Sequence, residues 1–207
     1  YDHSGGLRPL TAIAERFTLV MGAGFFDPKY AARNGCHDYL GNNFTEGYLK
    51  EKRIAYLFTD SPIMEPVPGV FIFGRFHRVH ADEVVNHRFV IRKNGSFVND
   101  PFDDEILVAV DTPRGMVVIL GCSHPGMKNM IDAVRERTGR PIYAVLGGTH
   151  LVEAQGENLE KSLSFLSDGG IGIIGISHCT GKEAIGRLQS SCGRFFHNVT
   201  GSTLFVE

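Results

Sequence analysis

The sequence predicts a layered α/β fold, and three observations carry that expectation. Runs such as Val117 to Leu120 and Ile171 to Ile176 are apolar at nearly every position, as strands covered on both faces require. From Met116 onward such runs alternate with segments whose apolar residues recur at helical spacing. Glycine is frequent, 25 residues in all, which suits short elements joined by tight connections.

In chain order, Leu10 to Arg16 reads as a helix and Phe17 to Met21 as a strand. Gly22 to about Pro68 reads as irregular, punctuated by Phe25-Phe26-Asp27-Pro28, Gly41-Asn42-Asn43 and the prolines between Pro62 and Pro68. One strand, Ile54 to Phe58, interrupts it. Val70 to Gly74 and Arg88 to Ile91 are further strands. Ile106 to Val110 and Met116 to Leu120 flank Asp111-Thr112-Pro113-Arg114-Gly115 and predict a hairpin. Met127 to Thr138 places Met127, Met130, Ile131 and Val134 on one helical face, with Lys128, Asp132, Arg135 and Glu136 mainly outside. Strand Ile142 to Leu146, helix Asn158 to Leu166, strand Ile171 to Ile176 and helix Lys182 to Ser190 follow. Arg194 to His197 and Thr203 to Val206 are expected as the last strands. The chain is read as a single domain over 1–207, with an insertion or lid at about 22–102.

Composition narrows the function. The 207 residues, 43% hydrophobic and 21% charged, suffice for one globular core. A formal charge of -2 without clustered Lys and Arg argues against a nucleic-acid partner. No apolar run approaches the roughly 18 residues of a membrane span. Cys36, Cys122, Cys179 and Cys192 form no Cys-x-x-Cys pair. Two of them neighbour histidines, Cys122 and Cys179, which suits reduced thiols near a metal better than a disulfide scaffold, and a cytoplasmic setting.

The positions of the histidines are the most informative feature. Met116 to Leu120 runs into Gly121-Cys122-Ser123-His124, Ile142 to Leu146 into Gly147-Gly148-Thr149-His150, and Ile171 to Ile176 into Ser177-His178-Cys179-Thr180. Strand ends on one edge of an α/β sheet converge, so these side chains are expected in one cleft. Imidazole is the commonest ligand for zinc and related metals. A single strand-end histidine is more often a cap or a satisfied polar group. Three in series, with Asp2-His3 at the start, favour ligands: His3, His124 and His178. His150 is expected either to ligate or to position substrate. His37, His77, His80, His87 and His197 lack the glycine context and read as surface or structural. Cys122 reads first as a small buried residue. Asp103-Asp104 reads as a turn cap at least as readily as a catalytic pair.

Tyr1-Asp2-His3-Ser4-Gly5-Gly6-Leu7 resembles the second half of the His-x-His-x-Asp-His loop of the metallo-β-lactamase superfamily. With Asp103-Asp104-Glu105-Ile106-Leu107, Gly121-Cys122-Ser123-His124-Pro125-Gly126, Gly147-Gly148-Thr149-His150-Leu151 and His178-Cys179-Thr180-Gly181, it resembles the metal-dependent hydrolase subgroup that includes an archaeal pterin-pathway phosphate synthase. The resemblance implies a four-layer αββα sandwich with its site at one edge. It also implies that an N-terminal part of the domain, carrying two more histidines, precedes Tyr1. One or two divalent metal ions follow from it, zinc first and iron or manganese as alternatives. Asp2 and His3 are then ligands on the second-metal side with His178, and His124 belongs to the first. Asp2 is also the catalytic group, orienting a metal-activated water or accepting its proton. His150, Cys122 and Thr180 fall to substrate binding or to support of the ligands. The usual bridging carboxylate is not evident, and either Cys122 or His124 stands in its place.

The expected function is a metal-dependent hydrolase acting on a small anionic metabolite. The alternatives are a synthase-like transferase of the pterin pathway, a di-iron redox protein, and a metal-free binding protein of the same fold. The expected partner is a small-molecule substrate, with neither nucleic acid nor membrane; oligomeric state is left open.

Overall fold

A computed structural model of the chain describes residues 3–14 and 16–206. Two compact units divide it: one runs up to Asp60 and includes Val85–Asp104, and the other takes Ser61–Val84 and everything from Glu105 onward.

The first unit holds two sheets. Strand β1 (Thr18–Gly22) pairs in parallel with β4 (Ala55–Thr59). Strands β2 (Lys29–Arg33), β3 (Cys36–Tyr39), β7 (Phe89–Lys93) and β8 (Ser96–Asn99) form an antiparallel sheet in the order β3-β2-β7-β8. Helix α1 (Leu7–Leu10) is shorter and earlier than expected; Pro9 falls in its first turn, where the missing N–H costs no intrahelical bond, and Thr11 is the C-cap. Helix α2 (Glu46–Glu51) begins at Thr45, whose hydroxyl accepts the Tyr48 N–H. Leu7, Met21, Phe44 and Leu49 make the core, with Phe25 and Phe26 packed against it.

The stretch expected to be irregular therefore contains regular structure. Strands β2 and β3 are joined by Asn34-Gly35 at φ 48° and 78°, and β7 and β8 by Asn94-Gly95 at φ 51° and 81°. Successive left-handed residues are what a two-residue hairpin turn matching strand twist demands, and Asn-Gly supplies them cheaply. The strands themselves, Lys-Tyr-Ala-Ala-Arg and Cys-His-Asp-Tyr, are too polar to stand out as apolar runs.

The second unit is built on a seven-stranded sheet. Its antiparallel part comprises β5 (Ile63–Val67), β6 (Val70–Phe73), β9 (Leu107–Thr112) and β10 (Gly115–Leu120). Its parallel part continues from β10 through β11 (Ile142–Gly148) and β12 (Ile173–Ser177) to β13 (Phe195–His197). Helices α3 (Met127–Thr138), α4 (Gly156–Asp168) and α5 (Lys182–Ser191) are the crossovers that parallel neighbours require. Their apolar faces, among them Met130, Ile131, Leu163 and Leu188, share one core with Met116, Val118 and Ile174. Coverage on both faces does not extend to every apolar strand position: Ile119 is 42% exposed. Thr203 to Val206 forms no strand; the chain turns at Val199 to Ser202, leaving Phe205 exposed. Among the described residues no helix is long and apolar enough to cross a membrane.

Lys128 is the clearest departure on α3. Expected outside, it is 3% exposed and ion-paired with Asp82. The segment around it explains why. Asn129 accepts the N–H groups of Val79 and His80, at 2.8 and 3.0 Å, which lays residues 79–83 along the start of α3. Glu83 then caps the helix, accepting from the Lys128 and Asn129 N–H groups at 2.7 and 3.0 Å. Gly126 sits at φ 104°, and a Cβ there would meet the Glu83 carboxylate at 2.1 Å. Replacing Asp82 with Ala strands a buried ammonium, so we expect unfolding free energy to fall by about 3 kcal/mol. Urea denaturation measures it, and the double variant Asp82→Leu, Lys128→Met is expected to recover most of the loss.

Candidate functional site

The parallel register of β10, β11 and β12 sets their C-terminal ends side by side, with Leu120 opposite Gly147 and Gly148 opposite Ser177. The three loops that follow are tied together directly. Gly148 N–H donates to Gly121 O at 3.0 Å, and Ser123 Oγ donates back to Gly148 O at 2.7 Å. Thr149 Oγ1 donates to Thr180 Oγ1 at 3.0 Å, and Thr180 donates in turn to Ser177 O at 2.7 Å. A Cβ on Gly148 would lie 2.5 Å from Gly121 O and 2.7 Å from Cys179 Sγ, so glycine is what lets the loops approach.

Each loop also carries a side-chain-bearing residue in left-handed conformation: Ser123 at φ 68°, His150 at φ 50° and His178 at φ 55°. Such conformations cost energy and persist where the surrounding contacts over-determine them, often at functional sites. Part of that determination comes from Glu105. Its carboxylate accepts the Ser123 N–H at 2.5 Å and the His124 N–H at 2.9 Å, clamping the first loop from the entry to β9.

The side chains expected to converge from this edge do so. The His124 and His150 rings lie 4.2 Å apart between centroids. Cys122 Sγ is 3.4 Å from His178 Nε2. Cys179 Sγ accepts the His150 backbone N–H at 3.3 Å and lies 3.5 Å from Cys122 O. One donor atom from each of Cys122, His150 and Cys179 lies within 4.8 Å of the others. Cys122 is buried, His124, His150 and Cys179 are half-buried, and His178 is exposed.

The electrostatics favour an ion pair in this group. The Cys179 thiol is held down to about 4, first by a hydrogen bond from the Cys122 side chain, against the cost of burial, and then by the His150 side chain and backbone N–H. Burial opposes a charge on His150, but the Cys179 hydrogen bond and charge, aided by Glu153, outweigh it and raise the imidazole.

The remaining expected residues are placed as follows. Asp2 lies outside the described residues. His3 is exposed in the first unit, on the wall of a cavity of about 570 Å³ lined also by Leu7, Met21, Phe25, Phe44 and Asp104. Thr180 is wholly buried, its hydroxyl engaged by Thr149 and Ser177. Asp104 pairs with Lys29 at 2.8 Å, as does Asp100 at 2.9 Å. His80 bonds Asp132 at 2.8 Å and His37 stacks on Phe97, consistent with structural roles. All four cysteines are free of disulfides.

Across 95% of its length the chain superposes on the crystal structure of a metal-dependent hydrolase of the β-lactamase superfamily, with a TM-score of 0.82 and 25% identity, covering 73% of that chain. The chain has the metallo-β-lactamase fold. Two curated relatives come from Methanocaldococcus jannaschii. One is a 7,8-dihydropterin-6-methyl-4-(beta-D-ribofuranosyl)-aminobenzene-5'-phosphate synthase, 32% identical over 122 residues; the match takes in 57% of this chain and 42% of that relative. The other is an uncharacterised protein, 29% identical over 209 residues, covering all of this chain and 75% of its own length. No protein-family model matches. Both the expected superfamily and the expected subgroup are thus found among the similar proteins. The metallo-β-lactamase fold of this chain carries a His and Cys group able to hold a metal, as befits a fold whose solved neighbour is metal-dependent.

Glu105 has no assigned role in the motif reading, and Cys179 has none beyond a reduced thiol near a metal. For Glu105 the signal was present in the Asp103-Asp104-Glu105 run, but nothing local says which carboxylate reaches a loop 18 residues on. Replacing Glu105 with Ala is expected to cost about 2 kcal/mol, the range for hydrogen bonds to a charged group. Faster hydrogen exchange at the Ser123 and His124 amides would report the loosened loop, and unchanged exchange there would rule the clamp out.

Proposed function

We propose that this chain is a metal-dependent hydrolase acting on a small anionic metabolite. The observation that carries this reading is the convergence of His124, His150, His178 and Cys122 at one edge of a metallo-β-lactamase fold. The solved neighbour, itself a metal-dependent hydrolase, supports it. In this reading the ligands are Asp2 and His3, from the Asp-His motif, with His124 and His178 from the strand ends.

The donor chemistry fits a zinc-class cation: imidazoles with one carboxylate suit zinc or iron, while magnesium and calcium favour oxygen ligands throughout. A divalent cation held there would polarise a carbonyl or phosphoryl oxygen and lower the pKa of coordinated water toward about 7. The chain's own groups do the rest. Asp2 is proposed to orient the attacking water or take its proton. Glu105 fixes the backbone that presents His124, and Gly148 with Ser123 keeps the loops in register. A raised His150 imidazole suits an anionic substrate group, since it carries positive charge into the cleft. Zinc as the metal and a cytoplasmic setting belong to the same proposal.

A second reading, a pterin-pathway transferase, is favoured by the 32% identity to the synthase. Purified full-length protein assayed against phosphoesters, and separately against a dihydropterin donor with a ribofuranosylaminobenzene phosphate acceptor, distinguishes the two. In either case His178→Ala is expected to lower bound metal and cut turnover by more than the about 10–100-fold typical of residues that only support a ligand. Full turnover with undiminished metal would sink the ligand assignment.

A further inference from the structure

We infer that Cys122, His150 and Cys179 form a thiolate-rich cation site of their own. Their donor atoms, two sulfurs and one ring nitrogen, lie within 4.8 Å of one another. A tetrahedral ion with ligand bonds of about 2.0–2.3 Å sets its donors about 3.3–3.8 Å apart, which side-chain movement of about an ångström reaches from here. The three residues come from three different strand ends, so the cluster is made by sheet register and not by chain proximity. Each donor is already positioned. Cys179 Sγ accepts the His150 N–H, and His150 is fixed in left-handed backbone with Glu153 Oε2 3.4 Å from its Nε2. Cys122 is buried, and Cys179 and His150 are half-buried.

Two sulfurs and one imidazole select a thiophilic d10 cation, zinc foremost, over oxygen-seeking ions. Three protein donors leave a fourth position for water or substrate. Binding requires both sulfurs as thiolates and His150 as neutral imidazole, so any proton on Cys122, Cys179 or His150 is released to solvent. The ligand set shares no residue with Asp2, His3, His124 and His178. Cys122, lying 3.4 Å from His178, is where the two sets meet.

The site is tested with cadmium ion alone as the probe on the full chain. Cadmium–thiolate charge-transfer absorbance in the near ultraviolet is expected to correspond to two thiolates, and to halve in Cys122→Ser and in Cys179→Ser. Peptide mapping after alkylation needs no variant. Cadmium is expected to slow modification of Cys179 at least tenfold while the exposed Cys36 reacts as before. His150→Ala is expected to raise the cadmium concentration needed for protection by about tenfold or more. Unchanged absorbance in Cys179→Ser, an unprotected Cys179, equal protection of Cys36, or no response to His150→Ala would each overturn the assignment. These readouts are independent of turnover, so a failed hydrolase reading and a failed thiolate site are told apart.

Discussion

Parallel pairing among β10, β11 and β12 is the constraint on which the site depends. Parallel neighbours must begin and end on the same sides of a sheet, and each must be reached by a long crossover. Helices α3, α4 and α5 are those crossovers, and their burial holds the register that brings Leu120, Gly148 and Ser177 level. Once the ends are level, a histidine placed within four residues of each has nowhere to go but the same cleft. A slip of one residue in β11 would turn His150 away and point its neighbours into the core.

What the register begins, hydrogen bonding completes. The loops are short of side-chain bulk, and their backbone groups find partners in one another: Gly148 with Gly121, Ser123 with Gly148, Thr149 with Thr180. Carboxylates from outside add the remaining restraint, Glu105 on the first loop and Glu83 on the helix behind it. Burial raises the Glu83 carboxyl, against the two helix N–H groups that favour its charge. Preorganisation of this kind is what allows residues at φ 50° to 68° to be held where an unrestrained chain would relax.

How much of this was readable in the chain depends on the range of the interactions. Helix α3 was legible to the residue, because Met127, Met130, Ile131 and Val134 repeat at helical spacing. The β9–β10 hairpin and the strands feeding the histidines were legible for a similar reason, being runs of apolar, largely β-branched residues. The more polar strands β2, β3 and β8 were not, although Asn34-Gly35 and Asn94-Gly95 stand at their turns. Burial of Lys128 could not be read, since its partner Asp82 comes from 46 residues earlier and makes a surface-looking position internal. The histidines of the site were found by their place after strands. The histidine beside Cys179 marks it as a reduced thiol near a metal, but its pairing with Cys122, 57 residues before it, has no local signal.

The interleaving of the two units has a consequence for how this protein is divided and made. Strands β7 and β8 belong with β2 but are threaded between β6 and β9, which pair with each other. A fragment starting at Ser61 would hold the whole seven-stranded sheet, yet would also carry β7 and β8 severed from β2. On a ribosome, β6 must wait for β9, more than 30 residues later, before its edge is covered. No single cut gives two clean modules, and sequence exchange with a relative has to respect two junctions at once.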